Sequence, residues 1–179
     1  MINISENIQL KEISITDSES LFTLMKEVYP AAYNHFWKDD GSWYLNSQYS
    51  KENIKKELLE ENTAYYFVLF KNEIIGNFRI LWDKKLAGFE DQRSVKLHRI
   101  YLHSKVQGNG IGKSLLTWLE KEAIKKQYEL IWLDAMDEKP QAFKFYKKLG
   151  YQYHSHCFLD FDLLYDNVRK MSQLYKELS

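Results

Sequence analysis

The chain has one cysteine in 179 residues, Cys157. A single thiol excludes an internal disulfide and suits a reducing compartment. It also lacks any excess of charge. The 25 basic and 25 acidic residues balance, so no net field draws the protein to nucleic acid or to a membrane surface. No apolar run approaches the ~18 residues that span a bilayer. The opening Met1-Ile2-Asn3-Ile4-Ser5-Glu6-Asn7 has no basic region followed by an apolar run, so it does not read as a signal peptide. Nor is there a repeat, a low-complexity tract or an interdomain linker. What is present is a core: hydrophobic residues make up 45 % and aromatic residues 16 %, which excludes disorder. The length suits one domain over residues 1–179. The expectation is a soluble, cytoplasmic protein without nucleic-acid or membrane partners. A homodimer is compatible with it.

Glycine is scarce but concentrated. The stretch Gln107-Gly108-Asn109-Gly110-Ile111-Gly112-Lys113 holds three of the seven glycines. It lies between a strand-like run, Val95 to Leu102, and a helix-like run, Ile111 to Lys126. Alternate glycines allow a sharp turn and leave no side chains in a ligand's way. The following helix offers unpaired N–H groups and the positive end of its dipole. Together these make an anion site, most often for phosphate or pyrophosphate.

Three loop types compete for this stretch. A dinucleotide-binding G-x-G-x-x-G fails because Lys113 stands where the third glycine belongs. A P-loop G-x-x-x-x-G-K-[ST] matches at Gly112-Lys113-Ser114, with Leu130 to Asp134 as a strand ending in a metal-binding Asp. It would need glycine at Gln107, and too little chain follows Lys113 for a parallel nucleotide-binding sheet. The third type fits every position. Gln107-Gly108-Asn109-Gly110-Ile111-Gly112 resembles the Q/R-x-x-G-x-G/A loop of the GNAT (GCN5-related N-acetyltransferase) superfamily. Ala142-Phe143-Lys144-Phe145-Tyr146-Lys147-Lys148-Leu149-Gly150-Tyr151 is similar to that family's A-x-x-F-Y-x-x-x-G-F segment, and the two stand in the family's order. The resemblance runs from about Ile8 to Leu163. One departure is Lys139, where the family often has an Asn that bonds the cofactor.

Along the chain, Ile8 to Ile13 reads as a first strand. A helix capped by Asp17 or Ser18 carries Leu21, Leu24, Met25 and Val28, and Pro30 ends or bends it. Tyr33 to Tyr44 is aromatic and irregular. A second helix spans Lys51 to Glu60 with Ile54, Leu58 and Leu59 on one side. Ala64 to Phe70 and Ile74 to Trp82 form a hairpin around Lys71-Asn72-Glu73. The third helix has the apolar stripe Ile111, Leu115, Leu116, Leu119 and Ala123. Leu130 to Asp134 is a buried strand, and Gln141 to Leu149 is a fourth helix started near Pro140 and stopped by Gly150. Tyr151 to His156 and Phe158 to Leu163 are final strands. Val168, Met171, Leu174 and Leu178 predict a short C-terminal helix over about 166–178. A doubly wound parallel sheet would need helices between Ala64 and Leu102, and none is readable. The expected fold is α/β (α+β): a GNAT-like mixed, mostly antiparallel sheet of about six to seven strands with helices on both faces.

The resemblance also implies a site. The cofactor would be acetyl-CoA. The amides of Gln107, Gly108, Asn109, Gly110, Ile111, Gly112 and Lys113 would hold its pyrophosphate. The backbone of Ile100, Tyr101 and Leu102 would serve the pantetheine arm, which enters where a bulged strand splays from its neighbour. Tyr146 falls at the family's general acid, and a phenol of ordinary pKa ~10 is protonated at neutral pH. His98 falls where many relatives place a basic Glu, and imidazole of pKa ~6.5 is a credible base; water chains serve that purpose elsewhere in the family. Trp37, Asp39, Asp40 and Trp43 lie in the connection that borders the family's acceptor groove, with the aromatic faces and carboxylates that bind an ammonium. A solvated turn flanked by packing aromatics has the same composition. His154 and His156 lack a further ligand at zinc spacing, so no metal is expected. The activity implied is transfer of an acetyl group to a small-molecule or peptide amine. A catalytically weak acyl-CoA-binding sensor is the alternative, motivated by Lys139 and the missing Glu.

Overall fold

The computed structural model describes residues 1–178. In chain order they form β1 (Ile2–Asn3), β2 (Ile8–Glu12), α1 (Ser18–Tyr33), α2 (Ser42–Gln48), α3 (Lys51–Leu58), β3 (Thr63–Phe70), β4 (Glu73–Leu81) and β5 (Ser94–Leu102). Then come α4 (Ile111–Lys125), β6 (Leu130–Met136), α5 (Pro140–Lys148), β7 (Gln152–Phe158) and β8 (Lys170–Glu177). All strands join one eight-stranded sheet in the order β1-β2-β3-β4-β5-β6-β8-β7. Every neighbouring pair is antiparallel except β5 and β6. The mixed, mostly antiparallel sheet stands as expected, and the P-loop reading falls with it.

Alternation along the strands builds two cores. On β3, Tyr65, Phe67 and Leu69 face one side, where they meet Leu21 and Met25 of α1 and Ile54 of α3. Val68 faces the other side with Phe78, Ile80, Val95 and Leu97, against Leu115, Leu116 and Leu119 of α4. A period of two in the strands thus meets a 3.6-residue stripe in the helices. The hairpin turn forms at Lys71 and Asn72, with φ of 51° and 68°. Two successive left-handed residues match the strand twist, as primed turns do.

Six expectations need correction. The predicted C-terminal helix is strand β8. Its 168/171/174/178 spacing suits a helix, but the free edge of β6 offers a ladder from Leu130↔Glu177 to Met136↔Met171, and β7 pairs on the other side. Two neighbours supply more than local periodicity can. Phe158 to Leu163 is not a second final strand, because β7 ends at Phe158. The stretch read as irregular ends in helix α2. With β1 at one edge, the strands number eight rather than six or seven. Pro30 lies inside α1, which continues to Tyr33, and Leu59 is exposed at 73 % rather than packed.

Candidate active site

The site begins with a defect in the sheet. Opposite Arg79 and Ile80 of β4 the register slips: Arg79 pairs with Arg99 and Ile80 with Leu97, leaving His98 as the extra residue. A bulge of this kind puts consecutive side chains on one face and bends the strand. Parallel pairing between β5 and β6 covers Ser94↔Leu130 to Leu97↔Leu133 and goes no further. Past that point the strands part, and a cavity of about 310 Å³ opens between them. This lies at the lower end of the range for small-molecule sites.

Ile100 and Tyr101 of β5 line one wall, and Ala135 and Met136 of β6 the other. Tyr146 closes it from α5; Tyr29, Tyr33, Trp37 and Tyr44 cover it from α1 and the segment after it. Of the expected pantetheine-side residues, Leu102 does not reach the cavity. Its side chain packs against the α4-side core.

The glycine loop leaves the end of β5. Gly108 and Gly110 have φ of 86° and 71°, and a Cβ on either would meet nothing within 4 Å. The first intrahelical bond of α4 runs from the Ser114 N–H to the Gly110 carbonyl. The amides of Ile111, Gly112 and Lys113 therefore precede any intrahelical acceptor. Gln107 is exposed, and the Asn109 side chain donates to the Val106 carbonyl at 3.0 Å, fixing the loop. The Ile111 side chain is buried in the core, so only its amide faces outward. Lys113 is exposed and borders a separate shallow depression with Ile4 and Trp118. A Cβ on Gly112 would come within 3.3 Å of Phe145, which places the first turn of α4 beside α5.

Helix α5 carries Tyr146 inward. Pro140 opens the helix, and Gly150, with φ of 90°, ends it. The ring packs edge-on against Tyr151 at 5.7 Å. Burial pushes the Tyr146 phenol above its ordinary pKa, with the nearby Tyr33 adding to the shift. The proton is therefore held at neutral pH.

His98 is in the cavity wall but not free. Its Nδ1 lies 2.7 Å from Nη1 of Arg79. Arginine has no acceptor, so Nδ1 must accept and the proton sits on Nε2. Burial first, then the charges of Arg99 and Arg79, hold the ring pKa down to about 2. Such a ring gives up a proton far too readily to act as a base near neutrality. The folded value lies below the unfolded ~6.5, so the unfolded chain binds the extra proton between these limits. The His98 contribution to stability is present above pH ~6.5 and is lost as pH falls toward 2. Melting temperature measured against pH should fall less steeply on the acid side for His98→Gln than for the wild type.

Behind His98 lies a charge network that sequence reasoning missed. Arg79 donates to Glu60 at 2.6 Å and to the Glu57 carbonyl at 3.2 Å. Arg99 donates to Glu57 at 2.5 Å, to the Tyr65 hydroxyl at 3.3 Å and to Gln48 at 3.3 Å. Glu57 sits in the charge-rich helix Lys51–Leu58, whose sequence reads as a solvated face. Two arginines in β-rich strands, facing one another across the bulge, were the available signal. Nearer the cavity, Asp134 is held by Lys96 at 2.5 Å.

The four acceptor-side residues are not brought together. Trp37 lines the cavity, and its indole N–H donates to the Tyr29 hydroxyl at 2.8 Å. Trp43 is 40 % exposed outside the cavity, packed on Phe161. Asp40 is exposed in a left-handed turn. Asp39 accepts from the amides of Gly41 at 3.2 Å and Trp43 at 2.7 Å, so it caps the start of α2. Asp39→Ala should cost about 0.5–2 kcal/mol of stability, the usual value of such a cap, read as a lower melting temperature.

The family model described as "Acetyltransferase (GNAT) family" matches residues 19–151. An uncharacterized N-acetyltransferase in the pepI 3′ region of Lactobacillus delbrueckii subsp. lactis is 21 % identical over 157 residues, 85 % of this chain and 89 % of that protein. Among solved structures, the PaiA N-acetyltransferase of Thermoplasma acidophilum in complex with coenzyme A is similar at TM-score 0.68 and 22 % identity, covering 95 % of this chain and 98 % of that one. A mutant spermidine N-acetyltransferase SpeG of Vibrio cholerae is similar at TM-score 0.67 and 16 % identity, covering 97 % and 95 %. At these identities the structural likeness speaks for the fold alone.

Proposed function

The chain belongs to the GNAT acetyltransferase family and is an acyltransferase, and from that premise we propose that it moves an acetyl group from acetyl-CoA to a primary amine by direct attack in a ternary complex. The observation that carries this reading is one of placement. The amides of Gln107 and Asn109 are used within the loop, by the Ser104 and Val106 carbonyls, but those of Gly108, Gly110 and the first turn of α4 are free, and they share one side of the fold with a splayed pair of strands and a protonated tyrosine.

The residues present fit an acyl-CoA. Gly108 and Gly110 leave open space where side chains would stand, so a pyrophosphate can approach the loop backbone and the α4 amides. Beyond Leu97 the backbone of β5 has no partner strand on the β6 side. By strand alternation the backbone of Tyr101 faces Asn77 of β4, while the amide and carbonyl of Ile100 point to the open side and are free to bond a pantetheine arm. Acetyl-CoA, when bound, supplies an acyl group activated as a thioester.

Tyr146 gives its phenolic proton to the sulfur as the C–S bond breaks and the new N–C bond forms. It recovers a proton from solvent afterwards. The amine must arrive deprotonated. His98 is committed to Arg79 and Asp134 to Lys96, so we assign that step to water. The rate should then rise with pH along the amine's own titration, and His98 serves to position Arg79.

Purified protein should release free thiol from acetyl-CoA when supplied with a suitable amine from a library, and calorimetry should show CoA binding. CoA binding with no release on any amine would make the protein a sensor. Failure to bind CoA would end both readings.

A further inference from the structure

Resting on the transferase reading above, we propose that the acceptor is a monoamine with a flat apolar body and a carboxylate, which Lys139 reads, and that polyamines are rejected. The argument is a charge inventory of the cavity. Arg99 reaches its wall but is already paired with Glu57 at 2.5 Å. Asp134 reaches it too and is paired with Lys96 at 2.5 Å. His98 is neutral for the reasons given. Lys139 is left. Among the described residues no carboxylate forms an ion pair with it, and its hydrogen-bond partner is the Ala32 carbonyl. The cavity therefore carries one cation in want of an anion.

Lys139 also occupies the seat that a second ammonium would take. Its Nζ lies 4.9 Å from the centre of the Tyr33 ring and 5.3 Å from that of Phe36. Aromatic faces within about 6 Å attract cations, but these two already hold the protein's own. A polyamine would meet a like charge where it needs an aromatic face. A carboxylate placed there gains an ion pair instead. Burial lowers the pKa of Lys139, and an opposite charge within about 4–6 Å offsets that cost. The remaining walls, Tyr29, Trp37 and Tyr44, present ring faces and edges, which suit a planar body.

The test compares matched amines that differ by a carboxylate, 4-(aminomethyl)benzoate against benzylamine, with spermidine as the polycation. Two readouts are taken on the full chain: kcat/KM at saturating acetyl-CoA, and binding in the presence of CoA by calorimetry. We expect the carboxylate to tighten binding at least ~10-fold and to lower KM rather than raise kcat, and spermidine to be the poorest of the three. Lys139→Met should erase the difference between the matched pair, and Lys139→Arg should keep it. Melting curves confirm that both variants fold. Equal binding of the pair, a preference for spermidine, or discrimination that survives Lys139→Met would overturn the proposal. Discrimination in binding without any thiol release would leave the carboxylate preference standing and sink the transfer reading, so the two failures are separable.

Discussion

Gly110→Asp should abolish useful acetyl-CoA binding while the protein stays folded. The position is left-handed, at φ 71°, with nothing within 4 Å of where a Cβ would stand. Aspartate is among the few residues that tolerate that backbone region, so the strain is small. Its carboxylate would lie at the start of α4, where negative charge is favoured by the unpaired amides and the helix dipole. Stability should hold or rise slightly. Affinity should move the other way, because the new charge takes the place intended for a pyrophosphate and repels it. Unit charges about 4 Å apart near a protein surface repel by several kcal/mol, so a loss on the order of 10²-fold or more is expected. Calorimetry with CoA and a melting curve on the same sample measure both directions. Unchanged affinity in a folded Gly110→Asp protein would mean that the loop binds something other than the cofactor.

The second large effect is on turnover. Tyr146→Phe should lower kcat roughly 10²-fold, in the range for loss of a general acid, with acetyl-CoA affinity nearly unchanged. Phenylalanine keeps the ring that packs against Tyr151, so the change removes a proton donor and little else. The effect should also depend on the leaving group. An acyl donor whose thiolate departs readily without a proton, such as an aryl thioester, should recover much of the lost rate. A Tyr146→Phe protein with full turnover on acetyl-CoA would show that the side chain is packing alone.

What could be read from the sequence was what the backbone does locally. Gly108 and Gly110 announce left-handed turns by residue type, and both occur. Ile111, Leu115, Leu116 and Leu119 announce a helix face, and all four are buried in one core. The segment Pro140 to Gly150 carries its own start and stop. The misses share one physical cause, contacts between residues far apart in sequence. Helix-like spacing at Met171 and Leu174 lost to pairing with β6 and β7. Glu57 looks like one more solvated charge until Arg79 and Arg99 arrive from strands β4 and β5. Asp39 looked like an acceptor-binding carboxylate, yet the amides of Gly41 and Trp43 use it first. The cavity itself was implied only by family resemblance. Its size and lining depend on where the β5–β6 ladder stops, and no single residue encodes that.

The placement of β8 between β6 and β7 has a consequence for synthesis on the ribosome. The ribosome makes β7 before β8, yet β7 touches the sheet only through β8. Until residues 170–177 emerge, β7 has no strand to join, and Tyr153 and Phe158, which are 55 % and 66 % exposed even in the finished fold, project from an unpaired segment. Hairpins form in about 1–10 μs, so β7 and β8 join the sheet as one unit once both have emerged, and a chain that stops before Lys170 leaves β7 with no strand to pair.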